Sequence, residues 1–160
     1  MLASRFLIAA CAMSLGSAVA FAHEGEGHDP NSLSGHPGVS KSVTRTINVE
    51  MKEYGFNQSE LTFKEGETVK FVVKNTGRLK HEFTVGTAEE QEEHRAEMKE
   101  MSDMKHDEAT HGEMPSNSVH VAPGETRELI WTFSHSGKLL FACNYPGHAD
   151  LGMEGKITVQ

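Results

Sequence analysis

Residues 143–153 read Cys143-Asn144-Tyr145-Pro146-Gly147-His148-Ala149-Asp150-Leu151-Gly152-Met153, and they decide where the chain turns and what chemistry it can carry. A thiol, an imidazole and a thioether recur at intervals of five residues. Pro146-Gly147, just before the histidine, is a turn signal. Strong strand signals flank the stretch. Lys138-Leu139-Leu140-Phe141-Ala142-Cys143 leads into it, and Lys156-Ile157-Thr158-Val159 leads out. A loop of this size between two strands can fold back so that all three side chains converge.

Working outward, the same kind of signal repeats. Thr44-Arg45-Thr46-Ile47-Asn48-Val49-Glu50-Met51 alternates as a half-buried strand does. Glu60 to Phe63 is short and extended, and Lys64-Glu65-Gly66-Glu67 is a turn. Thr68 to Lys74 is a further strand, Asn75-Thr76-Gly77 turns the chain, and His81 to Val85 is extended again. Ser118-Val119-His120-Val121 and Glu128 to Phe133 follow, separated by the turn Pro123-Gly124-Glu125. Seven or eight short strands with turn signals between them predict an all-β protein, an antiparallel sandwich or barrel. One stretch breaks the rhythm. Ala88 to Asp107 is rich in Glu, Lys, Met and Ala without Gly or Pro, so residues 87–116 read as a partly helical, acidic, Met/His-rich insertion.

The first 22 residues stand apart. Arg5 is followed by the apolar run Phe6 to Ala22, which ends in Ala20-Phe21-Ala22. That is the form of a secretory signal peptide, so the expected location is periplasmic. A membrane span is the competing reading, but the segment is short for one and no Lys/Arg cluster follows it. Lipidation at Cys11 would leave a very short apolar region before the cut. Residues 23–42, rich in Gly, His, Ser and Pro, read as a flexible arm, and residues 43–160 as the domain. The formal charge is −8, which disfavours nucleic acid and anionic membrane surfaces as partners. Loss of the leader removes Cys11 and leaves Cys143 as the lone thiol of an exported chain. A lone thiol there is a liability unless something occupies it.

The chemistry of the quoted stretch points to a soft metal. Two histidine nitrogens and one thiolate in a plane, with a long axial thioether, form the ligand set of a blue-copper centre. Cys143, His148 and Met153 supply three of these. His81, in Gly77-Arg78-Leu79-Lys80-His81-Glu82-Phe83, is available as the fourth, because a strand's first residue can lie beside a loop of the same sandwich. Taken singly, Cys143 could be a structural thiol, Met153 core, and His81 a satisfied strand histidine. A cysteine nucleophile with His148 or His81 as base is a further alternative, though there is no oxyanion-hole pattern and Met153 would be idle. Zinc disfavours thioether and such sites carry more cysteines.

The Cys-x4-His-x4-Met run with Pro146-Gly147 before the histidine resembles the copper loop of the cupredoxin superfamily, the group of azurin, auracyanin, rusticyanin and plastocyanin. The Asn75-Thr76-Gly77 to His81 segment, the Gly137 to Cys143 strand and the Pro123-Gly124-Glu125 turn before Trp131 fit the same pattern. The resemblance covers about residues 43 to 160, interrupted by the insertion. It implies a cupredoxin-like Greek-key β-sandwich and makes His81, Cys143, His148 and Met153 the copper ligands. It also implies that the residue after His81 contributes backbone hydrogen bonding and that Asn75 or Asn144 braces the loop.

Other histidines and methionines cluster elsewhere. His94, Met98 and Met101 fall on one face of a helix, followed by Met104, His106, His111 and Met114. They are candidates for secondary copper or for packing. Glu89, Glu90, Glu92, Glu93, Glu97 and Glu100 read as a solvated face. His23, His28 and His36 lie in the arm, and His23 with the free amine of a cleaved chain could chelate copper. His120 and His135 read as surface residues. Two roles follow: copper handling and tolerance, with the extra donors capturing metal, or a dedicated single-electron carrier with a purely structural insertion. A redox enzyme fits less well, since there is one copper motif. The expected partners are a redox protein or a copper donor or acceptor of the periplasm, met by a monomer with no membrane insertion.

Overall fold

Alternating burial along each strand builds the architecture. A computed structural model describes residues 32–103 and 115–160. Among these residues, ten strands form two five-stranded sheets. The first sheet contains β1 (His36–Pro37), β2 (Arg45–Lys52), β3 (Gly55–Phe56), β5 (Thr68–Asn75) and β8 (Thr126–Thr132), in the order β1-β8-β5-β2-β3. The second contains β4 (Glu60–Phe63), β6 (His81–Gly86), β7 (Ser118–Val121), β9 (Gly137–Ala142) and β10 (Glu154–Val159), in the order β4-β10-β9-β6-β7.

Val49 and Met51 of β2, Val69, Phe71 and Val73 of β5, and Leu129 and Trp131 of β8 face the interior from one sheet. Leu61, Phe63, Phe83, Val85, Leu139, Phe141, Ile157 and Val159 face it from the other. The period of two seen in the sequence is therefore the inward and outward alternation of a two-layer core. Phe63 stacks on Phe133 at 4.5 Å, and Phe71 lies 5.1 Å from Phe83 across the layers. Each such ring, fully buried, contributes about 1.5–3 kcal/mol.

Three features depart from the sequence reading. The sheets are mixed rather than antiparallel: β2 pairs parallel with β5, and β4 parallel with β10. The chain changes sheets after β3, so it returns to the first sheet running in its original direction. Two two-residue strands, β1 and β3, add to the eight longer ones, too short to leave a periodic signal. The described part of the 23–42 segment is not a free arm. His36 and Pro37 pair with Thr132 and Trp131 of β8, and the Trp131 indole donates to the Ser34 carbonyl at 2.7 Å.

Helix α1 (Ala88–Asp103) follows β6 directly. Thr87 and Glu90 form a reciprocal capping box: the Glu90 N–H donates to Thr87 Oγ1 at 3.1 Å, and the Thr87 N–H to Glu90 Oε2 at 2.7 Å. Glu90 Oε1 also accepts from Ser32 and Ser34, so this glutamate is a structural tie and not part of a solvated face. Every residue of β6 is buried. One side of the strand faces the core, α1 covers the other, and β7 pairs along its edge.

Candidate metal centre

Cys143 is the residue that follows β9, and His81 begins β6. These strands pair antiparallel with Thr84 opposite Ala142, so continuing the register sets His81 beside the first residues after β9. The loop then folds back through a tight turn. The His148 N–H donates to the Tyr145 carbonyl at 3.0 Å, with Pro146 and Gly147 between them. Gly147 has φ +82°, the left-handed value that the third position of a type II turn requires. Two further bonds close the loop, from the Met153 N–H to the His148 carbonyl and from the Cys143 N–H to the Met153 carbonyl, both 3.1 Å.

This backbone brings three side chains together. Cys143 Sγ lies 3.3 Å from His148 Nδ1 and 3.9 Å from His81 Nδ1. One ligand atom from each of His81, Cys143 and His148 lies within 4.8 Å of the others. Cys143, His81 and Met153 are fully buried, while His148 is half-buried and reaches toward the surface. Its ring lies 5.0 Å from that of Tyr54 and 5.1 Å from that of His81. Met153 belongs to the same buried cluster as Cys143.

The electrostatics suit a soft cation. Burial pushes the Cys143 thiol up to about 11 and holds His81 and His148 below the usual imidazole range. Both histidines are therefore neutral near pH 7, with a nitrogen lone pair on offer, whereas the thiol keeps its proton until a metal displaces it. A buried set of two imidazoles, a thiol and a neighbouring thioether fits copper better than zinc or a hard cation.

Second contacts orient the set. The Glu82 N–H donates to Cys143 Sγ at 3.3 Å. Asn75 Nδ2 donates to the carbonyls of Leu79 (2.7 Å) and Val121 (2.9 Å), and Asn75 Oδ1 accepts from the Gly77 N–H, so Asn75 holds the segment leading to His81. Glu53 Oε1 accepts from the backbone of Arg78 and Leu79 and lies 3.7 Å from His81 Nε2. Those backbone bonds lower the Glu53 carboxyl to about 2. A Cβ on Gly77 would sit 2.6 Å from Glu53 Oε1 and would push that carboxylate from its place.

The secondary candidates do not gather into a second centre among the described residues. His94 and Met98 turn inward from α1, and Met101 is 43% exposed on its own. His94 Nε2 bonds Glu82 Oε1 at 2.7 Å. His23, Met104, His106, His111 and Met114 lie outside the described residues, as does His28. Sequence reasoning missed Glu53, Gln91 and His120, and of Glu82 it expected the backbone bond but not the buried carboxylate. The burial of that carboxylate follows from the placement of α1 over its face of β6. His120, read as a surface residue, has its Nε2 3.2 Å from Glu82 Oε1.

Comparison with known proteins agrees with this geometry. The sequence model of the copper binding proteins of the plastocyanin/azurin family matches residues 43–160. The copper-resistant cuproprotein CopI of Rubrivivax gelatinosus is 39% identical over 146 residues, covering 91% of this chain and 82% of that one. Its namesake from Pseudomonas aeruginosa is 40% identical, covering 79% of this chain and 82% of the relative. Among solved structures, auracyanin B superposes with a TM-score of 0.62 at 20% identity, over 76% of this chain and 93% of its own, a likeness of fold.

Proposed function

Because the chain belongs to the plastocyanin/azurin family of copper-binding proteins, we propose that His81, Cys143, His148 and Met153 hold one copper ion as a type 1 centre, used in periplasmic copper tolerance. The observation that carries the site is the buried convergence of one sulfur and two imidazole nitrogens within 4.8 Å. Two relatives near 40% identity named as copper-resistant cuproproteins favour the tolerance role. The apolar run ending at Ala22 supports export, and no helix among the described residues is long and apolar enough to cross a membrane.

The residues divide the work. His81 and His148 each present Nδ1 to the centre, kept neutral by burial. Cys143 gives up its proton on binding, and the Glu82 N–H bond then stabilises the thiolate charge. Copper bound there supplies a one-electron couple between Cu(I) and Cu(II). Burial of Cys143 and Met153 excludes water and shields the sulfurs from oxidation, while the half-buried edge of His148 leaves a way in and out.

Tolerance is tested in a host strain lacking the gene. Restoring the wild-type gene returns growth in raised copper, and a Cys143→Ser gene does not. Full rescue by Cys143→Ser would remove this centre from the tolerance role.

A second function, a dedicated electron carrier, is favoured by one observation. His94 and Met98 face the sandwich, which withdraws them from metal capture at the surface. Copper stoichiometry separates the two. Replacing Met101, Met104, His106, His111 and Met114 together in the full chain leaves one tightly bound copper in either case. A wild-type protein that binds several coppers and loses all but one in this variant supports copper handling. One copper in both supports the carrier.

A further inference from the structure

Glu82 is a carboxylate with no exposure, one residue from His81. Its Oε1 accepts from three side chains on two other elements: Ser118 Oγ at 2.7 Å and His120 Nε2 at 3.2 Å from β7, and His94 Nε2 at 2.7 Å from α1. Its Oε2 accepts from the backbone N–H of Asn144 at 3.1 Å. Its own N–H donates to Cys143 Sγ. A buried charge is costly unless fully bonded, and this one is bonded on every side.

A second line runs from the helix to the same place. Gln91, also buried on α1, accepts from Asn144 Nδ2 at 2.7 Å and donates through Nε2 to the Thr84 carbonyl at 2.9 Å. Asn144 follows Cys143, past the end of the β9–β10 ladder at Ala142 and Glu154. Its backbone N–H and its side-chain amide are therefore held by Glu82 and Gln91. A helix that merely covered β6 would turn apolar side chains inward. This one turns Gln91 and His94 inward, and directional polar contacts fix one arrangement where apolar ones tolerate several.

We propose that helix α1 is a clasp on the metal loop. Gln91 and His94 hold Asn144 and Glu82, which position the sulfur of Cys143 and the hydrogen bond it receives. Glu82 is the central positioning residue, since it touches the sulfur through its backbone and the loop, α1 and β7 through its carboxylate. This deepens the copper reading above, because an N–H aimed at a thiolate ligand tunes the electron density the metal receives. Helix α1 thus acts on the centre by shaping its loop, apart from any metal that side chains of the 87–116 insertion bind.

The test compares wild type with His94→Leu, His94→Gln, Gln91→Met and Glu82→Gln, all with Cys11→Ser so that Cys143 is the only thiol. Two quantities are read from the full chain. The first is the rate at which iodoacetamide alkylates Cys143 without metal. The second is the visible spectrum after one equivalent of Cu(II). The clasp predicts that His94→Leu raises the alkylation rate about tenfold or more, by freeing the loop to open, and alters the positions or relative intensities of the sulfur-to-copper bands. His94→Gln, which keeps a donor toward Glu82, stays close to wild type. Gln91→Met removes the acceptor of the Asn144 amide, and Glu82→Gln leaves one acceptor oxygen for the donors that two now serve. Each moves both readouts in the direction of His94→Leu, so the proposal stays exposed if His94→Leu does not fold. Variants that melt at lower temperature but keep the wild-type alkylation rate and spectrum would overturn it and leave α1 as a cover. Should wild type show no sulfur-to-copper band, the copper reading fails, and alkylation alone still decides on the clasp.

Discussion

At the scale of single residues, the centre sets three side chains whose protonation is tuned for soft-metal binding. The Cys143 thiol sits at about 11 because of burial, and both imidazoles are held low. Binding near pH 7 should therefore release one proton per copper, all from the thiol. Calorimetry in buffers of different ionisation enthalpy measures this, and uptake of about one proton by the buffer is expected. A value near zero would mean that the sulfur is not a ligand. Gly77 gives a second prediction. Its missing Cβ leaves room for the Glu53 carboxylate that anchors the backbone before His81. Gly77→Ala should displace that carboxylate from the N–H groups of Arg78 and Leu79, cost about 1 kcal/mol, and weaken copper binding. Thermal melts of the metal-free chain and a copper titration check both.

At the scale of elements, α1 contributes through a buried pair whose stability depends on pH in a defined direction. Burial alone would raise Glu82 and lower His94. The bonds from His120, His94 and Ser118 outweigh that and hold Glu82 well below the carboxylate range, while Glu82 and Glu97 raise His94 above 6.5. A raised imidazole adds stability that is complete below its unfolded value and is lost as pH climbs through the folded one. A depressed carboxylate adds stability that is complete above its unfolded value and is lost progressively as pH falls from there toward the folded one. The metal-free wild type should therefore lose stability relative to His94→Gln as pH rises from 6 through the raised His94 value. A difference between the two proteins that does not change with pH would contradict this account. Comparison with the variant is needed because His81 and His148, both depressed, add the opposite slope below 6.5.

Much of this element-level order was legible in the chain. The strands from Thr68, His81, Ser118 and Glu60 fall where alternation and turn signals set them, and so does the start of the helix at Ala88. The pairing of the sulfur and imidazole residues was legible because loop length and turn chemistry are local. The parallel pairings were not, since they depend on where the chain changes sheets. Nor was the burial of the Glu82 carboxylate, although its backbone bond was expected: that burial depends on the helix after β6 folding back over that strand. The segment at His36 looked free for a similar reason, because its anchor is the Trp131 indole, far along the chain.

At the scale of the whole molecule, the centre sits at one end of a two-sheet core and draws on both halves of the chain. Copper that binds the folded form alone stabilises it by mass action, about 2.7 kcal/mol when free metal is a hundredfold above the dissociation constant. For a domain of this size that corresponds to a rise in melting temperature of roughly 10 °C. The rise should vanish in Cys143→Ser. The docked segment before β2 should matter in the same way. Trp131→Phe loses the bond to the Ser34 carbonyl and part of a fully buried ring and should lower stability by about 2–4 kcal/mol without touching the centre. The central claim, a copper ion held by the sulfur of Cys143 between two histidines, is tested most directly by a visible spectrum during Cu(II) titration. An intense sulfur-to-copper charge-transfer band should grow to one equivalent and be absent from Cys143→Ser. A wild-type protein with no such band, or a band that survives in Cys143→Ser, would contradict the account.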